Sequence, residues 1–343
     1  MPAKKMLVTG SSGMVGRHVV RRAVEAGYQV RGLVQDGHDS SPIDKLDVEI
    51  IYGDLTKPET VPAMIEGVDV IVHTAGMVGD WGPMEEYRAI NQDAVETLLE
   101  AVRQQETPIA RFVHISSLGV YRWGDHYGED ETVPPDYVGY DGYTTTKAQA
   151  ELICQRYIDE YQLPVVMIRP GFMYGEGDRH VLPRVVETLR AGTMMMIGDG
   201  KKVLDNLYVG NLADAVLLAV ENPRAIGQIY NIRDERLVDR NEYIGAVCQA
   251  IGAKMPRRAP CWLARRLIRP LALVAKLIGK QGPPLVTKPR YKFMALNLEY
   301  SIDKAKRELG YVPRVDFQEG IPIALAPYVR KEPTTSSPVI ASS

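Results

Sequence analysis

The stretch that most constrains this chain lies at its start. Lys5-Met6-Leu7-Val8-Thr9, a short apolar run, leads at once into Gly10-Ser11-Ser12-Gly13-Met14-Val15-Gly16. Apolar residues then recur at Met14, Val15, Val19, Val20, Ala23 and Val24 and stop at Gly27, the spacing of an amphipathic helix with a glycine terminator. A buried strand, a glycine turn and a helix in succession make a dinucleotide site. Glycines let the backbone approach a pyrophosphate, and the helix N-terminus offers free N–H groups to the anion. The spacing is G-x-x-G-x-x-G rather than G-x-G-x-x-G.

The alternation continues. Tyr28–Val34, Val48–Leu55, Val68–His73, Arg111–Ser117 and Leu163–Pro170 read as strands. Between them lie a helix with Tyr87, Ile90, Val95, Leu98, Leu99 and Val102 on its apolar face, and another over Tyr143–Tyr161. This predicts an α/β fold, a doubly wound parallel sheet. Residues 1–171 and 203–233 are expected to form the dinucleotide-binding domain, and 172–202 and 234–330 a smaller α/β substrate-binding cap. Within these, Asp178–Ala191 and Asn211–Glu221 read as helices, Met194–Met196 leads into a strand, and Gln228–Ile232 is a last strand. The Pro/Ser/Thr-rich tail 331–343 reads as disordered.

The polar signals gather at strand ends. Gln35 and Asp36, after the second strand, should meet the adenosine ribose, where an acid favours NAD and an arginine NADP; this pair leaves the choice open. Asp54 and Leu55 end the third strand near the expected adenine, and Asp54 reads equally well as a turn residue capping a helix near Pro58. The small residues Thr74, Ala75 and Gly76 allow close approach of a cofactor, and His73 has no partner spaced for a metal. Met77 to Pro83, with Trp81, is an aromatic loop at the crevice. Asn91 could bond backbone, bond a lysine, or be solvated. In Tyr143-Thr-Thr-Thr-Lys147 a phenol and an ammonium fall on one helix face, and the charge should lower the phenol from about 10 toward neutrality. Tyr300-Ser-Ile-Asp-Lys304 repeats that spacing.

Composition narrows the partners. A net charge of −2 argues against a general nucleic-acid binder, and three scattered cysteines read as reduced thiols of a cytoplasmic protein. No apolar run approaches the roughly 20 residues of a membrane span, and the N-terminus shows no signal-peptide pattern. Residues 254–292 are the exception, with eleven Lys and Arg and no acid, interleaved with Trp262, Leu263, Leu267, Ile268, Leu273, Val274 and Leu277. This is either a lid helix on the substrate domain or a peripheral membrane contact through 257–280. Pro270 predicts a kink or two short helices there.

Over residues 5–330 the sequence resembles the extended short-chain dehydrogenase/reductases. The resemblance rests on Thr9-Gly10-x-x-Gly13-x-x-Gly16, His73-Thr-Ala-Gly76, Ser116-Ser117-x-x-Val-Tyr121, Tyr143-x-x-x-Lys147 and Arg169-Pro170-Gly171-Phe-Met-Tyr174-Gly175. Leu207-Tyr208-Val209-Gly-Asn211 and Tyr300 to Tyr311 resemble the branch of 3β-hydroxysteroid dehydrogenases and dihydroflavonol-reductase-like enzymes. The resemblance implies Tyr143 as acid/base, Lys147 on the nicotinamide ribose, and Ser117 on the substrate oxygen with Ser116 as fallback. Pro170 and Gly171 would border the nicotinamide of NAD or NADP. It also implies a homodimer through helices around 92–105 and 145–161, and places Tyr300 and Lys304 in a C-terminal helix away from the cofactor.

The expected activity is interconversion of a secondary alcohol and a ketone on a hydrophobic substrate: a sterol or steroid, a keto-lipid, or a flavonoid-like ketone. The alternative is a nucleotide-sugar epimerase with tightly bound NAD, disfavoured because Arg169-Pro-Gly-Phe-Met173 lacks the asparagine frequent in that branch. A cofactor-reading redox sensor is the third reading, and the Tyr143/Lys147 pair counts against it.

Overall fold

The computed structural model describes residues 4–278 and 286–329. Seven parallel strands form the central sheet. They are β1 (Lys5–Thr9), β2 (Gln29–Gln35), β3 (Val48–Gly53), β4 (Val70–His73), β5 (Arg111–Ile115), a strand at Val165–Pro170 and a last one at Ile229–Ile232. Their spatial order, from Ile229–Ile232 through Val165–Pro170, β5, β4, β1 and β2 to β3, reverses direction beside β1. That reversal opens a crevice at the carboxyl ends of β1 and β4. Val8 and Thr9 pair with Gly32 and Leu33 on one side and with Val72 and His73 on the other, which sets the register of the glycine turn.

Two apolar layers hold the sheet. On one face Val19, Val20 and Ala23 of α1 (Met14–Glu25) pack with Leu212, Ala213 and Val216 of the helix Val209–Glu221 against Met6, Val8, Val72 and Val113. On the other, Val61 and Ile65 of α2 (Val61–Ile65) join two long helical stretches against Leu7, Leu33, Ile71, Phe112 and Met167. The first stretch runs through α3 (Met84–Arg88), a π turn at Ala89–Asp93 and α4 (Ala94–Gln104), and the second is α5 (Gly142–Tyr161). Each fully buried Val or Leu contributes about 1.5–3 kcal/mol, so these positions, not the polar ends, carry the stability of the sheet.

A third cluster, with Leu182, Val186, Met196, Tyr243, Ile268, Tyr291 and Phe317, builds the C-terminal part. It draws on α6 (Leu182–Arg190), α8 (Arg240–Ile251), α9 (Cys261–Leu277) and α10 (Lys288–Ala295), whereas α7, the helix Val209–Glu221, belongs to the first layer. Met195–Ile197 pairs in parallel with Arg257–Ala259, a strand the sequence pattern does not announce.

Several expectations are corrected. The helix expected from Asp178 begins at Leu182, because the Asp178 carboxylate accepts from the amides of His180, Val181 and Leu182 and ends the preceding turn. Of the kink or two short helices expected at Pro270, the two helices are not found: α9 is one helix with Pro270 inside it. Proline leaves the carbonyl four residues back, that of Arg266, without its donor, and Arg266 is exposed, so water can replace it. Tyr300 is not helical but ends the strand Leu298–Tyr300. The tail 331–343 lies outside the described residues.

Candidate active site

The glycine turn has the shape its spacing implies. Gly10 has φ +64, and a Cβ there would lie 2.9 Å from the Ala75 Cα, so only glycine lets β1 and the Thr74-Ala75-Gly76 stretch approach so closely. A Cβ on Gly16 would collide with the Gly10 carbonyl and Ser11. Gly13 caps α1 without a side-chain hydrogen bond, and the first turn, Met14, Val15 and Gly16, holds no acid. Free amides at an uncapped helix start are what a pyrophosphate requires, so the residues present fit a dinucleotide. Ser12 is buried beneath the turn, and its neighbour Ser11 donates to the Leu33 carbonyl at 3.0 Å, tying the turn to β2.

Arg17, which the sequence pattern did not single out, folds back over this turn. Its Nη2 donates to the Ser12 carbonyl at 3.2 Å and its Nε to that of Gly13 at 3.3 Å. Burial and then the neighbouring Arg179 lower its pKa, so an incoming anion would relieve it. The signal available was an arginine directly after the last glycine. Gln35 and Asp36 follow at the exposed end of β2. Asp54 accepts from the amide and hydroxyl of Thr56 at 2.9 and 2.7 Å, closing a turn ahead of the short helix at Pro58 without capping it, while Leu55 is buried beside it.

Across the crevice, Thr74 donates to the Thr9 carbonyl at 2.6 Å, and His73 shares a 2.9 Å bond with the Thr9 hydroxyl. Burial, with the Lys147 charge nearby, holds His73 down to about 3, so it is a neutral core imidazole. Asn91 sits inside the π turn and is fully buried. Its carboxamide clamps both backbone groups of Met77, accepting from N at 2.7 Å and donating to O at 3.0 Å, and it also donates to the Thr146 hydroxyl. Of the three options for Asn91, backbone bonding is the one realised.

The helix α5 begins at Asp141, whose carboxylate accepts from the Thr144 amide at 2.7 Å. Tyr143 therefore stands in its first turn, half-buried, near enough to the Ser117 hydroxyl for that group to lower its pKa. Ser117 in turn accepts from the Gly119 amide at 2.9 Å. Ser116 points elsewhere, donating to Glu151 at 2.5 Å. Lys147 is buried one turn beyond Tyr143, and its ammonium donates to the Ile115 carbonyl at 2.8 Å. A Cβ on Gly76 would lie 3.3 Å from that ammonium and 3.1 Å from the Asn91 carboxamide, so Gly76 keeps this side of the crevice open.

The electrostatics differ from the expectation. Burial raises the Tyr143 phenol above its usual value, opposed by the nearby Ser117 hydroxyl, and burial brings Lys147 down to about 8. The phenol is thus a neutral hydroxyl at pH 7 rather than a near-neutral acid.

Glu151, a further turn along α5, completes a buried node. Its carboxylate takes a bidentate pair from Arg169 at 2.9 and 2.6 Å besides the Ser116 hydroxyl, and Arg169 reaches the Tyr121 hydroxyl at 2.8 Å. One carboxylate thereby joins β5 beside Ser117, the strand that ends at Pro170-Gly171, and the helix that carries Tyr143 and Lys147. Gly171 is in place because its missing Cβ would clash with the Asp205 carbonyl.

Residues 6–232 match the NAD dependent epimerase/dehydratase family. The chain belongs to that family. Its members are enzymes of NAD chemistry, and the cofactor of this one is a nicotinamide dinucleotide of that kind. A 3-beta-hydroxysteroid dehydrogenase of Mycolicibacterium neoaurum is 32% identical over 325 residues, covering 90% of this chain and 87% of that protein. A 2-alkyl-3-oxoalkanoate reductase of Stenotrophomonas maltophilia is 29% identical over 335 residues, covering 92% and 97%. Among solved structures, a UDP-glucuronic acid 4-epimerase from Bacillus cereus in complex with UDP-glucuronic acid and NAD superposes with a TM-score of 0.73 at 22% identity, covering 94% of this chain and 98% of that one. Among the described residues, no group of His, Cys, Asp and Glu is arranged to hold a metal and no helix is long and apolar enough to cross a membrane.

Proposed function

We propose that this protein interconverts a secondary alcohol and a ketone on a hydrophobic substrate of sterol, steroid, keto-lipid or flavonoid-like type. The observation that carries the reading is the Ser117–Tyr143 hydroxyl pair at the carboxyl end of the sheet, with Lys147 one helical turn beyond. Relatives named for a hydroxysteroid and for a 3-oxoalkanoate support a bulky apolar substrate. When bound, the nicotinamide supplies the hydride chemistry. Ser117 would hold the substrate oxygen, and Tyr143 would pass it a proton or take one from it. A phenol kept neutral by burial is the form that donates that proton when the ketone is reduced. Lys147 would bond the ribose beside Gly76, and Gly10, Ser12, Gly13, Met14, Val15, Gly16 and Arg17 would cradle the pyrophosphate. Gln35, Asp36, Asp54 and Leu55 would border the adenosine, Thr74 and Ala75 the middle of the cofactor, and Pro170 and Gly171 the nicotinamide. Residues 172–202 and 234–329 serve as the substrate-binding part.

The test is a panel of hydroxysteroids and 3-oxo acids assayed with NADH and NADPH, beside Tyr143→Phe. Turnover in the panel that the variant leaves unchanged would sink the mechanism. A nucleotide-sugar epimerase would instead be purified with NAD and act on a UDP-sugar without added cofactor; absorbance of the denatured protein decides between the two. We also propose a homodimer through α4 and α5, whose outer surface exposes Leu152 and Tyr161; light scattering of a Leu152→Glu variant tests it, and a wild-type monomer refutes it. A hydrophobic substrate of this class partitions into lipid, so the reading includes peripheral membrane contact through 257–278.

A further inference from the structure

Seven of the twenty-one exposed large apolar side chains among the described residues fall between Trp262 and Ile278. Such concentration is a patch, not the normal scatter of single apolar residues. α9 has two dissimilar faces. Ala264 and Ile268 are buried against the C-terminal cluster, and Arg265 stacks over the Trp123 ring at 5.5 Å, so this side docks the helix. Leu263, Leu267, Val274 and Leu277, in helical steps, form an outward stripe whose exposure rises from 39% at Leu263 and Leu267 to 76% at Leu277. Trp262 is 63% exposed at the amino end, with the Arg266 guanidinium 6.0 Å from its ring centre.

A lid needs only the inner face. The outer one calls for an occupant, and charge selects it. Arg266 and Arg269 are exposed on α9 itself, Arg257 and Arg258 are exposed on the strand before it, and no Asp or Glu occurs from Lys254 to Lys292. A two-fold pairing of this face with itself would set arginines against arginines. An anionic bilayer satisfies both halves of the surface: acyl chains take the leucines, headgroup phosphates take the guanidiniums, and tryptophan favours the interface between them.

We propose that the outward face of α9, Trp262 through Ile278, lies on an anionic lipid bilayer. The inference stands apart from the catalytic reading, since lipid binding is measured without substrate. It also gives the reading a geometry. α9 packs on α10, at whose start Thr287 and Arg290 both bond Asp80 of the crevice loop, at 3.0 and 2.7 Å. A docked α9 would bring the crevice within one helix layer of the lipid.

The experiment is co-sedimentation of the full chain with vesicles of phosphatidylcholine, alone or mixed with phosphatidylglycerol, at low and raised salt. Wild type should bind the mixed vesicles, bind phosphatidylcholine alone weakly, and lose roughly fivefold in partitioning for each arginine screened or removed. The exposed double variant Leu267→Glu/Val274→Glu should lose roughly tenfold or more in binding while keeping its circular dichroism and its cofactor affinity. No binding of wild type to phosphatidylglycerol vesicles overturns the proposal. So does equal binding by the double variant, or a wild-type oligomer that the variant splits without any lipid effect.

Discussion

The chain contains the same four-residue spacing of tyrosine and lysine twice, and the two sites could hardly differ more. Tyr143 and Lys147 lie within α5, so the spacing does what a helix makes it do and stacks them on one face. Tyr300 ends a strand and Lys304 belongs to the helix Asp303–Leu309, so the chain turns between them. Tyr300 is sealed between the rings of Tyr121, at 5.1 Å, and His126, at 4.7 Å, while Lys304 reaches out to Gln228 at 2.9 Å and over Tyr230. A spacing acquires chemical meaning only with the secondary structure that converts it into distance. The second difference is hydroxyl company. Tyr143 has Ser117, whereas the Tyr300 hydroxyl has no hydrogen-bond partner in its packed surroundings.

The largest effect should come from Tyr143→Phe, with kcat lower by roughly 10²–10⁴-fold, against less than about twofold for Tyr300→Phe. Equal losses at both positions would collapse the contrast. Next comes the node behind the first site. Glu151→Gln should lower kcat by about tenfold or more with KM nearly unchanged, because Ser116 and Arg169 lose their shared carboxylate; calorimetry should show a loss of about 3–5 kcal/mol, since Arg169 is left charged and buried. A change in KM alone would show that the node does not position Ser117 and Lys147.

A smaller effect comes from three histidines buried in the dinucleotide-binding part. Burial holds His18 near 4, His73 near 3 and His114 well below its usual value. These imidazoles stay neutral in the fold and protonate on unfolding below about pH 6.5. Stability is therefore present above that pH and is lost as pH falls toward the folded values, about 2 kcal/mol for each at pH 5. Thermal unfolding at pH 5 should take up close to three protons; none would refute the burial. Smallest of all, Tyr300→Phe should leave the melting temperature unchanged or raise it by a degree or two, because it removes an unpaired buried hydroxyl.

These contrasts also show what a sequence displays. The glycine turn was legible because φ at Gly10 and the close approaches at Gly10 and Gly16 are local demands, tied to residue type. Strand periodicity likewise marked the central sheet to within two residues at most ends. What stayed hidden depends on residues far apart in the chain. Glu151 meets Arg169 and Ser116 only after three elements have packed, although its place in the series Tyr143, Lys147, Glu151 was visible. The direction of the Tyr143 shift was misjudged because the charge of Lys147 shows in the sequence while the depth of its burial does not. Pro270 shows the opposite case: the penalty was evident, but the exposed helix surface that lets α9 run on past it was not.

The π turn at Ala89–Asp93 carries a consequence of a genetic kind. A π turn holds one residue more than an α-helix of the same length requires, so it is equivalent to a regular helix with a single residue inserted. That extra residue lets Asn91 face Met77 while Tyr87 still lies against Gly142 and Val95 and Leu98 keep to the core. Removing one codon here would heal the helix and turn its upstream half by about 100°, releasing the crevice loop from its anchor. The anchor of the crevice loop can therefore be gained or lost in one mutational step that leaves the hydrophobic layers of the sheet untouched.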